Sequence, residues 1–104
     1  MSTGDIPLRR FGLHADRVSA LGLGGFHLGK PASDREAVRI IHAAIDAGIT
    51  FMDNAWEYNG GLSEIRMGRG IRDRRDRVFL MTKVCTHGRG VREAMRQLEQ
   101  SLRR

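Results

Sequence analysis

Two short apolar runs constrain this chain more than anything else in it. Ile49–Met52 and Val78–Thr82 are each four or five residues long, partly β-branched, and each follows a segment with helical periodicity. Runs of that length without polar alternation read as strands buried on both faces. Strands that alternate with helices imply βαβ units and a parallel sheet. Each run also stops on a charged residue or just before one, Asp53 after the first and Lys83 after the second. In parallel α/β folds the carboxyl ends of strands carry the functional groups.

The flanking segments fit this frame. Leu8–Phe11 and Arg17–Leu21 read as two strands of a hairpin or as a hairpin feeding the first strand of a sheet. Gly22–Gly29 is a glycine-rich loop. Ser33 with Glu36 three residues on is a capping-box signature. Ala37, Val38, Ile41, Ala44 and Ile45 then give one apolar helix face, and Gly48 suits a left-handed helix stop. A second helix is expected from an N-cap at Ser63 to Ile71, with Ile65, Met67 and Ile71 inward. A third follows Gly88-Arg89-Gly90, with Val91, Ala94, Met95, Leu98 and Leu102 as its apolar stripe. The order is hairpin–β–α–β–α–β–α. Three parallel strands leave two unpaired apolar edges, so they read as part of a larger sheet.

The bulk numbers exclude several classes. The chain has 104 residues, 40% apolar and 29% charged, with no apolar run near the roughly 20 residues that span a bilayer. The start, Met1 to Pro7, lacks an export-signal core, and a cytoplasmic setting is expected. Net charge is +6, and of the 18 basic residues only Lys30 and Lys83 are lysines, the rest being arginines. The densest basic cluster, Arg72-Asp73-Arg74-Arg75-Asp76-Arg77, is interrupted by acids, so a solvated loop is expected and nucleic acid is not an expected partner. Cys85 is single, which rules out a disulfide framework. Cys85-x-His87 offers two metal ligands that no other cysteine or histidine pair completes, so no metal site is expected. Gly22-Leu-Gly24-Gly25 lacks the third glycine and the immediate helix of a dinucleotide fingerprint.

Asp53, Tyr58 and Lys83 are an acid, a phenol and an amine on one end of the expected sheet. A buried ammonium needs a counter-charge, which Asp53 can supply. An ammonium beside a phenol favours the phenolate and so sharpens proton donation. The trio fits proton delivery to a carbonyl oxygen while hydride reaches the carbon.

Gly48-x-Thr50-x-x-Asp53-Asn54-Ala55-x-x-Tyr58-x-Gly60, followed by Thr82-Lys83-Val84, resembles the aldo-keto reductase superfamily. Met81 to Arg89 and Gln97 to Arg103 also look like its bacterial members. The resemblance implies an α/β fold, an N-terminal hairpin plus the first three βα units of an incomplete (β/α)8 TIM barrel, with residues 1–104 the N-terminal part of one domain. It implies reduction of aldehydes or ketones to alcohols with NADPH. Tyr58 would be the general acid, Lys83 its modulator and Asp53 the lysine's partner. Gly24, Gly25, Phe26 and Asp53 would line the nicotinamide end, and Phe26 and Trp56 the substrate pocket. The family's carbonyl-orienting histidine ends a fourth strand, a position that His14, His27, His42 and His87 do not match, and its adenosine-phosphate contacts lie in the last barrel units. The 104 residues alone are therefore expected to be inactive and to bind NADPH weakly or undetectably. The alternative is a non-catalytic truncated fragment or a basic binding module. The sequence does not fix the carbonyl substrate or the oligomeric state.

Overall fold

The computed structural model of the chain describes residues 6–85, 87 and 90–104. The reading of Met1–Asp5 and the Gly88-Arg89 lead-in to the third helix lie outside the described residues. Among the described residues, five strands and three α-helices follow in the order β1 (Leu8–Arg10), β2 (Arg17–Ser19), β3 (Gly22–Gly24), α1 (Asp34–Asp46), β4 (Phe51–Asp53), α2 (Leu62–Ile71), β5 (Phe79–Met81) and α3 (Val91–Arg103). β1 and β2 form an antiparallel hairpin, and β3, β4 and β5 form a parallel sheet in that spatial order. Gly22, Phe51 and Phe79 share one register level, and Gly24, Asp53 and Met81 another. The first parallel strand thus falls on Gly22–Gly24, the start of the stretch expected to be a loop. Its backbone needs no bulky side chains to pair with β4, and the loop proper begins at the 3₁₀ turn Phe26–Gly29.

Why α1 starts and stops where it does is local chemistry. The Ser33 hydroxyl accepts from the Glu36 amide at 3.2 Å, satisfying an otherwise unpaired donor of the first turn. At the other end Gly48 takes φ 94°. Its amide donates to Ile45 O at 3.0 Å and the Ile49 amide to Ala44 O at 2.8 Å, the paired bonds of a Schellman stop. Ile49 is thereby committed to the helix end, so β4 begins at Phe51 rather than Ile49.

The hairpin closes the amino end of the sheet. Ser19 Oγ accepts from the amides of Thr50 and Phe51 at 2.9 and 3.0 Å and donates to Leu21 O. Phe11 stacks on Phe51 and Phe79, with centroids 6.0 and 5.2 Å away. An aromatic plug therefore sits at the end opposite the charged strand termini.

The core lies between the sheet and α1 and α2. Leu28, Ala37, Ile41, Ala44, Ile45, Met52, Met67, Ile71 and Val78 form one buried cluster. Met67 and Ile71 are buried as expected, while Ile65 is only half-buried. The N-cap of α2 is Gly61 at φ 99°, not Ser63. Ser63 is instead fully buried inside the first turn, where its hydroxyl accepts from Asn59 Nδ2 at 2.9 Å. Two charged residues of α2 are also buried. Arg66 donates to Leu28 O, Pro31 O and Asp34, tying the loop before α1 to α2. Glu64 accepts from Thr82, Ser101 and Arg104.

Gly70 explains how α1 and α2 come so close. A Cβ there would lie 2.6 Å from Ile41 Cδ1 and 3.0 and 3.1 Å from its Cγ2 and Cβ. Ile41 is fully buried, and its β-branch is stiff on a helix. Alanine in place of glycine in a free helix gains about 1 kcal/mol, but overpacking a core costs about 1–3 kcal/mol. Gly70→Ala is therefore expected to destabilise the chain by about 1 kcal/mol in urea denaturation. A gain in stability would show that the helices can part freely.

The stripe expected on α3 is present but faces outward: Val91, Met95, Leu98 and Leu102 are exposed. The helix docks through polar groups instead, with Gln97 its one buried residue among those described. No described helix is long and apolar enough to cross a membrane.

Candidate active site

The carboxyl ends of β3, β4 and β5 are zipped together beyond the strands themselves. The Gly25 amide donates to Asp53 O at 2.6 Å, Asn54 to Met81 O at 2.9 Å and Trp56 to Lys83 O at 2.9 Å. This ladder brings Asp53 and Lys83, 30 positions apart in sequence, side by side. Lys83 Nζ donates to Asp53 Oδ1 and to Asn54 O, both at 2.5 Å. Both side chains remain a little under half exposed, so solvent screens the pair.

Burial works against the Lys83 charge, but the hydrogen bond and charge of Asp53, with a contribution from Tyr58, outweigh it and raise the ammonium pKa above the ordinary 10.5. A raised pKa means that the folded state binds this proton more tightly than the unfolded one. The pair's contribution to stability is thus complete below pH 10.5 and fades as pH climbs through the higher folded value.

Tyr58 opens a short 3₁₀ turn, Tyr58–Gly61, whose last three residues all have positive φ: Asn59 at 54°, Gly60 at 65° and Gly61 at 99°. That left-handed run reverses the chain into α2 and leaves the phenol on the sheet end. Lys83 Nζ lies 5.3 Å from the Tyr58 ring centroid, within cation–π range. The Phe26 ring meets Tyr58 edge-on at 5.4 Å. Asn59 holds these two loops in place, its Nδ2 donating to Phe26 O at 2.6 Å and to Ser63 Oγ.

Glycine is required on the neighbouring strand end. A Cβ at Gly25 would lie 2.6 Å from the Asn54 side chain, which is buried and bonded to Ser63 O. At Gly24 a Cβ would meet nothing within 4 Å, so the space beside Asp53 is open.

Asp53, Tyr58, Lys83, Gly24, Gly25 and Phe26 thus share one end of the sheet. Trp56 is engaged elsewhere: its Nε1 donates to Gln100 Oε1 at 2.9 Å, and the guanidinium groups of Arg96 and Arg104 each sit 5.8 Å from its ring. Of the histidines, His42 Nε2 donates to Gly70 O of α2. His87 Nδ1 lies 2.9 Å from Cys85 Sγ. Asn54, Asn59 and Ser63 position the site and were missed by sequence reasoning. The Asn59-Gly60-Gly61 run was the available signal, since asparagine and glycine are the residues that tolerate positive φ.

The family model for the Aldo/keto reductase family matches residues 20–104. The chain is 36% identical over 88 residues to methylglyoxal reductase YeaE of Escherichia coli, covering 84% of this chain and 31% of that protein. Among solved structures, it is similar to an aldo-keto reductase from Klebsiella pneumoniae in complex with NADPH, with TM-score 0.81 and 39% identity over 94% of this chain and 34% of that one. It is also similar to the thermostable aldo-keto reductase Tm1743 in complex with the inhibitor epalrestat, with TM-score 0.85 and 31% identity over 94% of this chain and 38% of that one. The chain spans about a third of the length of these relatives, and its sheet and helices are the corresponding part of a (β/α)8 barrel.

Proposed function

The chain belongs to the aldo-keto reductase family, and from that premise we propose that it forms the N-terminal part of a single barrel domain that reduces aldehydes or ketones to alcohols with NADPH. The observation that carries the reading is the Lys83 ammonium held at 2.5 Å by Asp53 and 5.3 Å from the Tyr58 ring. NADPH, when bound, supplies the hydride. The open surface at Gly24, beside an Asp53 carboxylate with one oxygen not used by Lys83, suits a nicotinamide riboside. Gly25 and Phe26 complete that wall, and the Phe26 ring, edge-on to Tyr58, forms the apolar side on which the carbonyl compound lies; Trp56, expected in that pocket, is taken up by Gln100, Arg96 and Arg104 instead.

Tyr58 donates its hydroxyl proton to the carbonyl oxygen as the carbon becomes a carbinol. The phenolate left behind faces the Lys83 ammonium, which stabilises it, and Asp53 keeps that ammonium charged and in position. The carbonyl-orienting histidine and the contacts to the adenosine phosphate come from barrel units other than these. A cytoplasmic setting, where thiols such as Cys85 stay reduced, agrees with this chemistry.

The test is a complete barrel carrying these residues, mixed with NADPH and a panel of carbonyl compounds that includes methylglyoxal, the substrate named for the Escherichia coli relative. Nicotinamide oxidation that depends on the carbonyl and matches alcohol formation mole for mole is expected. No turnover with any aldehyde or ketone would sink the proposal.

A further inference from the structure

The ladder that aligns Tyr58 and Lys83 also brings together three side chains that the reaction does not use. Trp56 N bonds Lys83 O, which brings Glu57, one residue past Trp56, close to Cys85, two residues past Lys83. His87 lies beside Cys85, its Nδ1 2.9 Å from Cys85 Sγ. The carboxylate of Glu57, Sγ of Cys85 and a ring nitrogen of His87 all lie within 4.8 Å of one another. Cys85 is held from behind, its amide donating to Gln97 Oε1 of α3 at 2.6 Å.

We propose that Glu57, Cys85 and His87 form a binding site for a zinc-like divalent cation at the rim of the sheet. The donor set selects the ion. A thiolate and an imidazole suit zinc and its borderline-soft neighbours, whereas magnesium and calcium take oxygen ligands. Zinc–ligand bonds of about 2.0–2.3 Å at tetrahedral angles place donor atoms about 3.5 Å apart. The Sγ–Nδ1 distance of 2.9 Å and the 4.8 Å limit of the cluster bracket that spacing, so small side-chain rotations suffice. Glu57 and His87 are exposed and Cys85 half-buried, which leaves an entry path and a fourth position for water. On binding, the Cys85 thiol proton leaves to solvent as the sulfur–metal bond forms. The ion would then tie the residue preceding Tyr58 to the segment two residues past Lys83, bracing the two loops against each other. The sequence signal was half visible in Cys85-x-His87, and the third ligand is a glutamate 28 positions upstream.

The site is tested by binding alone, independently of carbonyl reduction. The reduced 104-residue chain is titrated with Zn²⁺ against a chromophoric chelator, and separately with Co²⁺. One ion per chain is expected, with a thiolate-to-cobalt charge-transfer band that disappears in Cys85→Ser. Loss of even an outer partner of a ligand weakens metal binding by about 10–100-fold, so Glu57→Gln and His87→Ala should each weaken Zn²⁺ by at least about tenfold. His14→Ala, at an exposed histidine in the hairpin turn, should leave the affinity unchanged. Far-UV circular dichroism shows that each variant keeps its fold. Absence of stoichiometric Zn²⁺ binding, a cobalt band that survives in Cys85→Ser, or variants that bind like the parent would each overturn the site.

Discussion

Tyr58→Phe is expected to lower kcat for carbonyl reduction by about 10²–10⁴-fold, the usual contribution of a positioned general acid, with little change in KM. The substitution removes one oxygen and leaves the ring. The edge-on contact with Phe26 at 5.4 Å and the cation–π contact with Lys83 at 5.3 Å are made by the ring and remain, while the hydroxyl's interaction with the Lys83 ammonium is lost. The loop geometry comes from Asn59, Gly60 and Gly61, which are untouched. A folded variant that still binds cofactor but turns over slowly separates proton donation from packing. A variant with parent-like kcat would remove Tyr58 from the chemistry.

The second large effect is on stability. Glu64 and Arg104 are almost fully buried side chains, 6% and 13% exposed, joined at 2.9 Å. Glu64 also accepts from Thr82 Oγ1 on the strand end and from Ser101 Oγ on α3. Arg104 reaches further, donating to Trp56 O at 2.8 Å. Removing one partner of a buried pair leaves the other charge desolvated and costs about 3–5 kcal/mol. Because Arg104 keeps its bond to Trp56, the lower end applies, and Glu64→Ala is expected to cost about 3 kcal/mol. In a chain of about 100 residues that is a fall in Tm of about 12–24 °C. Glu64→Gln keeps an acceptor for Ser101 and should cost less. A shift within about 0.5 kcal/mol, the range of an ordinary surface change, would show that α3 does not depend on this network.

The same network marks where sequence reasoning stops. The limits of α1 were legible because each rests on a local rule: Ser33 and Glu36 three apart, and Gly48 after the last apolar position. The strand ends were legible because each apolar run stops abruptly on Asp53 or just before Lys83, although β5 is not buried on both faces as its apolar run suggested: Leu80 is exposed. Asn59 was half legible, since its positive φ follows from the two glycines after it, but its bond to Phe26 O spans 33 residues. Glu64 and Arg66 were not legible. Charged residues on a helix read as surface, and only partners 18 to 40 positions away allow their burial. Ser63 failed for the opposite reason: a strong capping residue lost its place to Gly61, whose left-handed conformation lets the Tyr58 turn run straight into α2. The stripe on α3 was real as a pattern, yet periodicity gives a face and not what covers it. The helix docks through Gln97, Gln100, Ser101 and Arg104, all polar.

The central claim is that Asp53, Lys83 and Tyr58 act as one proton-donating unit, and a double-variant cycle reads it directly. Residues that act as a unit are non-additive in kinetics. In a complete barrel carrying these residues, kcat for carbonyl reduction is measured for Lys83→Met, Tyr58→Phe and the two combined. If Lys83 works through the Tyr58 hydroxyl, the double variant is no slower than Tyr58→Phe alone. If the two losses multiply, Lys83 and Tyr58 act independently and the unit does not exist.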